Sequence, residues 1–366
     1  MHIRDAISIL NRIAPPALQE SYDNAGLITG NPNAELTGIL VTLDSTEAII
    51  DEAIAKECNM VVAHHPIVFS GLKSITGKNY IERVIIKAIK NDIAIFAIHT
   101  NLDNVAHGVN KMICDRLELS KVKTLAPKKG LLKKIITFVP LVNKAEVLDA
   151  LGRAGAGNIG NYEKCSFQVD GKGTFEPNEQ ASPYIGESGK FEEVDEVRIE
   201  MVFPDYLERK IIAALDKAHP YEEVAYFIQK VENESPEIGS GMVGELEVSL
   251  SEEEFLTYLK EKMELKVIRH TAFLNKPIQK IAVCGGSGSF LLGKAMAQGA
   301  DIFITADYKY HQFFDADNKI IIADIGHYES EKFTSELLGG MLKIGIGNEV
   351  PIGLTSIDTN PVQYFS

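Results

Sequence analysis

The sequence predicts an α/β fold whose main domain is built from βαβ-type units and is interrupted by an inserted α+β module. Short apolar runs alternate with segments of helical periodicity in the first third of the chain, and the same alternation returns near the C-terminus. Between these two parts the order of elements changes to β-α-β-β-α-β, which is typical of a ferredoxin-like module. These observations predict a mostly parallel central sheet whose sequence is split by the module.

In the first third, apolar runs at 38–44, 59–65 and 93–100 predict buried strands, and the spacing at 45–57 and 80–92 predicts helices. Strands that alternate with helices pair in parallel through right-handed crossovers. We therefore expect the carboxyl ends of these strands to lie at one edge of a sheet.

The C-terminal part predicts strands at 280–286, 301–307 and 319–327, with a helix between the first two. Shifting the chain by 242 positions aligns 39–65 with 281–307 without a gap, but only five pairs in that alignment are identical. Two interpretations stay open: the main domain is an internal duplication, or two unrelated βαβ units share an apolar pattern.

The middle of the chain predicts the inserted module. A strand and helix at 134–157 are followed by a strand at 164–175, a strand and helix at 197–223, and a strand at 224–231. The glycine-rich, acidic stretch at 175–196 predicts an exposed hairpin or loop.

A basic segment with one proline and one glycine, at 125–134, and a segment rich in glycine and glutamate, at 232–246, predict linkers at the two ends of the module. We therefore divide the chain into 1–130, the first half of the main α/β domain; 131–231, the insert; and 232–366, the second half. A length of 366 residues fits this organisation of one domain with an insertion.

Composition limits the class of function. Lysine and arginine total 37 against 51 aspartates and glutamates, a formal charge of −14, which disfavours nonspecific binding to nucleic acid. The four cysteines form no C-x-x-C pair, which favours reduced thiols. The first ten residues lack the apolar core of a signal peptide, and no run reaches about 18 apolar residues. We expect a soluble cytoplasmic protein.

Adjacent histidines, His64 and His65, stand at the end of the second predicted strand and are followed by Pro66. Successive side chains on a strand point to opposite faces, so both can reach one pocket only where the strand ends. Ligands of open parallel sheets bind beyond the carboxyl ends of the strands. For this pair alone, a metal or catalytic role and a structural role both stay open.

The apolar run 93–97 of the third predicted strand is followed by His99, Asn101, Asp103 and Asn104. Aspartate is also a preferred helix N-cap, so Asp103 could instead cap the helix predicted after it, within 105–117. Taken alone, the capping interpretation is favoured.

The apolar run at 319–323 is followed by His327 and Glu331, which are four residues apart. In a helix that begins here the two side chains share one face, as paired metal ligands must. A solvated first turn is the alternative interpretation.

Three strand ends with the same chemistry favour a shared site. Imidazole and carboxylate ligands suit zinc, iron, manganese or nickel, and the sequence does not distinguish these metals. Five ligands exceed what one catalytic ion needs, which favours two divalent ions with open positions for water. The predicted metal ligands are His64, His65, Asp103, His327 and Glu331.

Other polar residues are candidates for proton transfer or substrate binding. Asp307, Tyr308 and His311 follow a further strand end, where an ordinary surface turn is the alternative. The glycine-rich segment 285–289 could hold a phosphate at a helix N-terminus, but a tight βα turn fits its incomplete motif better.

The motifs at 61–69, 98–104 and 324–331, together with 21–30, resemble the Ngg1-interacting-factor-three-like family, whose members are named GTP cyclohydrolase 1 type 2 homologs. The insert resembles the PII/CutA-like module of longer bacterial members. This family often has tryptophan before the early aspartate, whereas the present chain has Tyr22 there.

The resemblance implies a dinuclear metal site within a toroidal homohexamer, a trimer of dimers. His65 and Asp103 would bind one ion, His64 and His327 the other, and Glu331 would bridge them. The implied activity is hydrolytic opening of the GTP purine ring by metal-activated water.

On that reading His99 or His311 transfers protons, and the substrate contacts Asp23, Asn24, Asp307 or Tyr308. The partner would be a nucleotide or another small molecule; membrane association is not expected and nucleic acid is disfavoured. The alternative function is a regulatory or metal-handling assembly with a ligand-sensing insert and no robust catalysis.

Overall fold

The computed structural model describes residues 1–365, which form two compact units, one made of 1–126 with 237–365 and the other of 127–236. The predicted α/β fold class is confirmed, with parallel and antiparallel strands and many helices. No helix within residues 1–365 combines the length and apolarity needed to cross a bilayer.

The α-helices are α1 Ile3–Ile13, α2 Glu47–Ala55, α3 Tyr80–Lys90, α4 Thr100–Asp103, α5 Val109–Arg116, α6 Lys144–Ala154, α7 Glu208–Ala218, α8 Glu252–Lys262, α9 Leu292–Ala297, α10 His327–Glu331 and α11 Thr334–Ile346. The strands are β1 Gly26–Thr29, β2 Ile39–Thr42, β3 Met60–Ala63, β4 Ala94–Ala97, β5 Ser120–Lys129, β6 Leu132–Pro140, β7 Phe167–Phe175, β8 Glu192–Pro204, β9 Tyr226–Val231, β10 Glu234–Leu250, β11 Arg269–His270, β12 Ile278–Ser287, β13 Ile302–Ala306, β14 Ile321–Asp324 and β15 Ile352–Leu354.

The first unit contains two sheets rather than one. Strands β1-β4-β3-β2-β15 form a five-stranded sheet, and β11-β14-β13-β12-β10-β5 form a six-stranded sheet. The prediction that the three ligand-bearing strand ends share one sheet edge is therefore wrong. Each βαβ set instead closes its own sheet with an antiparallel strand, β1 beside β4 in one and β11 beside β14 in the other.

The two sheets repeat the same local arrangement. β2 and β3 pair in parallel with Ile39 opposite Met60, and β12 and β13 pair in parallel with Ile281 opposite Ile302. The same shift of 242 residues relates both partners of each pair. In each sheet a third parallel strand and then an antiparallel strand follow. This matched register favours duplication over unrelated βαβ units.

Side-chain alternation explains why these short strands are wholly apolar. Met60 and Val62 of β3 point into one core cluster, while Val61 points into another. In β12, Ile281 shares the cluster of Met60, whereas Ala282 points to the opposite face. The two sheets therefore share one central core and each has a second buried face, so both faces of these strands require apolar residues.

The second unit has a four-stranded antiparallel sheet in the order β7-β8-β6-β9, with the helices α6 and α7. Its elements follow the β-α-β-β-α-β order. Phe203, Val147 and Ile211 lie in its apolar core, with side chains from both strands and helices. The predicted loop is confirmed between the end of β7 and the start of β8.

The two segments expected to be linkers contain the boundaries between the units, at 126/127 and 236/237, but they form strands rather than loops. The segment 125–134 lies in β5, a turn at Gly130, and β6, and most of 232–246 lies in the 17-residue strand β10. Glycine and glutamate in this segment predicted a loop, but Met242 and Val243 are buried and pair with β12. Pairing with a neighbouring strand outweighs weak local propensity here.

Candidate metal centre

The carboxyl ends of strands from both sheets of the first unit meet at one cluster of imidazoles and carboxylates. His64 and His65 directly follow β3, Asp103 ends the short helix α4 after β4, and His327 and Glu331 begin and end the short helix α10 after β14. The structure brings these five predicted ligands together. Their ligand atoms form two groups within 4.8 Å, His65 with His327 and Glu331, and His64 with Asp103 and Glu331.

Glu331 lies at the centre of the cluster. Its Oε2 is 2.9 Å from Nε2 of His65 and 3.2 Å from Nε2 of His327, and its Oε1 is 3.8 Å from Nε2 of His64. Burial favours the neutral carboxyl, but the contacts with these histidines outweigh it and hold the pKa of Glu331 well below its usual range. One carboxylate thus contacts three imidazoles through two different oxygens.

His64 and Asp103 form the buried side of the cluster. Nδ1 of His64 donates to the backbone oxygen of Ile98 at 2.8 Å, which leaves Nε2 as an acceptor facing Oδ1 of Asp103 at 3.7 Å. Burial lowers the pKa of His64. Burial and repulsion from Glu331 raise the pKa of Asp103 well above its usual range. Within residues 1–365, neither His64 Nε2 nor Asp103 Oδ1 has a hydrogen-bond partner.

Two aspartates orient the other two histidines. Nδ1 of His65 is 2.8 Å from Oδ1 of Asp44, and Nδ1 of His327 is 2.7 Å from Oδ2 of Asp307. Each contact directs Nε2 toward Glu331. Burial opposes protonation of these rings, but hydrogen bonds to the carboxylates outweigh it and raise the pKa of His65 to about 9 and that of His327 to about 11. Carboxylate partners of this kind fix the tautomer of metal-binding histidines.

His99 lies beside this cluster, with a ring nitrogen within 4.8 Å of ring nitrogens of His64 and His65. Its Nδ1 is 2.8 Å from Oδ1 of Asp23, and Thr100 also donates to that carboxylate. Burial opposes ionisation of Asp23, but the hydrogen bonds from His99 and Thr100 lower its pKa to about 2. The ionised Asp23 holds the proton on Nδ1 and leaves the other ring nitrogen of His99 as an acceptor.

The structure does not bring every candidate to the cluster. Asn24 donates through its side chain to the backbone oxygen of Val68 at 2.6 Å. Tyr308 is buried in an apolar cluster with Phe303. His311 is exposed, and its ring contacts the ring of Tyr310.

The capping interpretation of Asp103 is wrong. The helix α5 begins at Val109, with Gly108 as its N-cap, whereas Asp103 belongs to α4. The i, i+4 interpretation of His327 and Glu331 is confirmed, since both lie in α10. Gly286 of the predicted tight turn has a φ of +61°, in the left-handed region.

Sequence reasoning missed two contributors to the site. Asp44 stands two residues after β2, at a strand end like those of the predicted ligands. This position in the sequence could have identified it as a site residue. Gly286 approaches Glu331 so closely that a Cβ there would lie 2.5 Å from Oε1. Nothing in the local sequence indicates such a contact between segments that are far apart in the chain.

Open cavities reach the histidines. One, of about 930 Å³, has His65, His99 and His327 in its lining and also Lys73 and Lys78. A second, of about 470 Å³, lies beside His65 and His327 and is bordered by 360–362, Val267 and Arg269. A small molecule can therefore reach the cluster from solvent.

The fold and the site together define a class of protein. It is a mixed α/β protein whose two sheets meet at an imidazole–carboxylate cluster, and this cluster could hold a metal ion. The family model Duf34/NIF3 (NGG1p interacting factor 3) matches residues 1–361, and the chain belongs to this family. It is 39% identical to a Bacillus subtilis protein named GTP cyclohydrolase 1 type 2 homolog, over 98% of this chain and 97% of that one. A Staphylococcus epidermidis protein of the same name is 38% identical, with 100% of both chains covered.

Solved structures agree with this assignment. A crystal structure of a Bacillus cereus protein related to NIF3 superposes with a TM-score of 0.90 at 36% identity, covering 100% of this chain and 99% of that one. A Staphylococcus aureus protein superposes with a TM-score of 0.76 at 30% identity, again covering 100% and 99%. The fold is therefore shared over the full length of both relatives.

Proposed function

We propose that this chain binds two divalent metal ions through the cluster around Glu331 and is a metal-dependent hydrolase acting on a nucleotide. The observation that carries the proposal is a pair of buried atoms, His64 Nε2 and Asp103 Oδ1, that have no hydrogen-bond partner within the described residues 1–365 and lie beside a carboxylate that contacts three imidazoles.

The residues present fit divalent metal ions. Three imidazoles and two carboxylates form a donor set suited to zinc, iron, manganese or nickel. Each imidazole has its Nδ1 engaged by a backbone oxygen or a carboxylate, so each presents Nε2 to the cluster. Glu331 presents a different oxygen to each side, as a bridging ligand would. The ligand atoms group as His65 with His327 beside Oε2, and as His64 with Asp103 beside Oε1. We therefore propose these two pairs for the two ions, in place of the pairing that the resemblance implies.

The residues beside the cluster have different roles in the proposed hydrolysis. When bound, divalent ions lower the pKa of water and polarise a substrate oxygen. His99, whose Nδ1 proton is held by Asp23, offers its other ring nitrogen to accept a proton and later return it. Asp44 and Asp307 keep His65 and His327 in place.

A nucleotide substrate is supported by the cavity beside the cluster and by the names of the relatives. The cavity of about 930 Å³ is large enough for a nucleotide, and Lys73 and Lys78 on its wall supply charge for phosphates. Phe69 on the same wall is 52% exposed and packs edge-on against His99, so it offers an aromatic face for a base. GTP is the first substrate to test.

The test combines metal analysis with turnover. The purified full-length chain is analysed for bound metals, loaded with each of zinc, iron(II), manganese and nickel, and incubated with GTP and a panel of other nucleotides. We expect about two ions per chain and hydrolysis of at least one nucleotide that stops on chelation. A chain with two bound ions and no turnover across the panel would exclude the hydrolase, and a chain that binds none of these metals would exclude the whole proposal.

A further inference from the structure

The second unit contains a cavity of about 750 Å³. Its walls come from the end of β7 and the loop after it, from the segment after α7, and from single residues of β6 and β8. The loop is held against the segment after α7 because the backbone N–H of Ser182 donates to Oε1 of Glu222 at 2.7 Å. The cavity is therefore a structured concave site and not an open loop surface.

A carboxylate lies in the wall of this cavity. Glu196 of β8 is 7% exposed, and its Oε1 accepts a hydrogen bond of 2.8 Å from the hydroxyl of Tyr221. Burial and this contact raise the pKa of Tyr221. The opposite strand makes room for the carboxylate at Gly173, where an added Cβ would overlap Oε2 of Glu196. Because a tyrosine hydroxyl is neutral, it does not balance the charge of a buried carboxylate, which favours a cationic ligand.

Three further aromatic rings lie around Tyr221, the hydrogen-bond partner of this carboxylate. The ring centroid of Tyr221 is 5.8 Å from that of Phe175, 6.4 Å from that of Tyr184 and 5.0 Å from that of His219. Phe175 and Tyr184 line the cavity together with Tyr221. His219 fixes the position of Tyr221, whose backbone N–H donates to Nδ1 of His219 at 3.1 Å. Aromatic faces beside a carboxylate attract organic cations.

The remaining charges of the lining are mostly negative. Three further glutamates line the cavity, namely Glu176, Glu222 and Glu223. The one lysine of the lining, Lys172, has its ammonium 3.0 Å from both Glu193 and Asp195, so its charge is engaged by those carboxylates. This lining repels anionic ligands such as nucleotides and attracts a ligand with more than one positive charge.

We propose that this cavity binds a small aliphatic polyamine, with one ammonium group at Glu196 among the aromatic rings and another at the glutamates of the rim. Ammonium groups can donate hydrogen bonds to carboxylates, and the methylene chain can pack on the rings. This proposal does not depend on the metal site.

Spermidine is the probe. Isothermal titration of the full-length chain at low ionic strength is expected to show saturable binding of about one spermidine per chain, and no binding of the uncharged 1,8-octanediol. Glu196→Gln and Tyr184→Ala are each expected to weaken binding about tenfold or more, through loss of a charge pair and of a cation–π contact. Magnesium chloride is titrated alone to distinguish an organic-cation site from a site for any cation.

Matched variants separate this cavity from general attraction to an acidic protein. Glu179→Gln removes the same charge from an exposed position of the same loop, and Tyr162→Ala removes an exposed tyrosine elsewhere in the unit. Both are expected to bind spermidine like the wild type. Equal weakening by Glu179→Gln and Glu196→Gln, absence of saturable binding, or binding of magnesium in place of spermidine would overturn the proposal. If Glu196→Gln does not fold, the binding of spermidine to Tyr184→Ala decides the result. Tyr184 is 56% exposed, so we expect this variant to fold.

Discussion

Nε2 of His64 and Oδ1 of Asp103 lie 3.7 Å apart, both are buried, and within residues 1–365 neither has a hydrogen-bond partner. A buried polar atom without a partner costs about 1–3 kcal/mol. Two such atoms facing each other therefore lower the free energy of unfolding of the metal-free chain, and a bound cation would remove this cost. Because Nδ1 of His64 is bound to the backbone of Ile98, the ring cannot turn to relieve the cost.

Glu331→Ala is expected to lose most of the bound metal, since Glu331 is the only carboxylate that contacts His64, His65 and His327 alike among the described residues. Metal content after purification, measured by mass spectrometry, checks this. The control is Glu336→Ala, which removes an exposed glutamate from the next helix and is expected to retain the metal. Retention of two ions by Glu331→Ala would exclude Glu331 as the bridge.

His64→Gln and His65→Gln are expected to affect different ions. The two rings leave the end of β3 in different directions, with Nδ1 bound to Ile98 in one and to Asp44 in the other. Each single variant should therefore lose about one of two ions, and the double variant both. Metal titration of each purified variant gives the stoichiometry. Loss of both ions from each single variant would instead mean that the two histidines serve a common ion.

The sequence was sufficient to predict the ligand-bearing strand ends, but not how the strands are assembled. The apolar runs before His65, Asp103 and His327 have the length and flanking signals of buried strands, and each forms one. Periodicity does not specify which strands pair, so β3 and β14 were expected in one sheet and lie in two. The site nevertheless forms because the carboxyl ends of strands from both sheets meet.

Contacts between distant segments were beyond prediction for the same reason. Asp44 and Asp307 each follow a strand, but nothing in the local sequence indicates that they hold His65 and His327. The strand formed by most of 232–246, where a loop was expected, has another cause. Its glycines and glutamates have low strand propensity, and only its pairing with β12 makes it a strand.

Asp44→Asn and Asp307→Asn are expected to lower metal affinity about 10- to 100-fold without abolishing binding, because they weaken the contacts that orient His65 and His327. Competition with a chromophoric chelator measures this. Asp317→Asn, at an exposed aspartate that pairs with Lys319, is the control and should have wild-type affinity. Unchanged affinity in both site variants would show that the aspartates do not support the metal ligands.

Gly286→Ala is expected to lose metal affinity as well as stability. Position 286 has a φ of +61°, and a Cβ there would lie 2.5 Å from Oε1 of Glu331, so the carboxylate would have to move. Gly299→Ala is the matched control, because Gly299 has a φ of +71° but open space around its Cβ position. Both variants should be destabilised by roughly 1 kcal/mol through backbone strain, measured by urea unfolding. Only Gly286→Ala should lose metal; equal metal content in the two variants would contradict the role of this close approach.

His219 is expected to make the second unit sensitive to mild acid. Its Nε2–H donates to the backbone oxygen of Phe138 at 2.9 Å and its Nδ1 accepts from Tyr221, so both nitrogens are engaged by the neutral ring, and burial lowers its pKa from the ordinary 6.5. Below about pH 6.5 the unfolded chain binds this proton more readily than the folded chain does. The contribution of His219 to stability is therefore complete above that pH and is lost as the pH falls through its lowered folded-state pKa.

Hydrogen–deuterium exchange of peptides from 132–140 and 219–225, corrected for intrinsic rates, should show faster opening at pH 5.5 than at pH 7.5. His219→Gln should open faster at pH 7.5 but with a smaller change on acidification, while His311→Gln, at an exposed histidine, should behave as the wild type. A full acid response in His219→Gln would assign the sensitivity to another group.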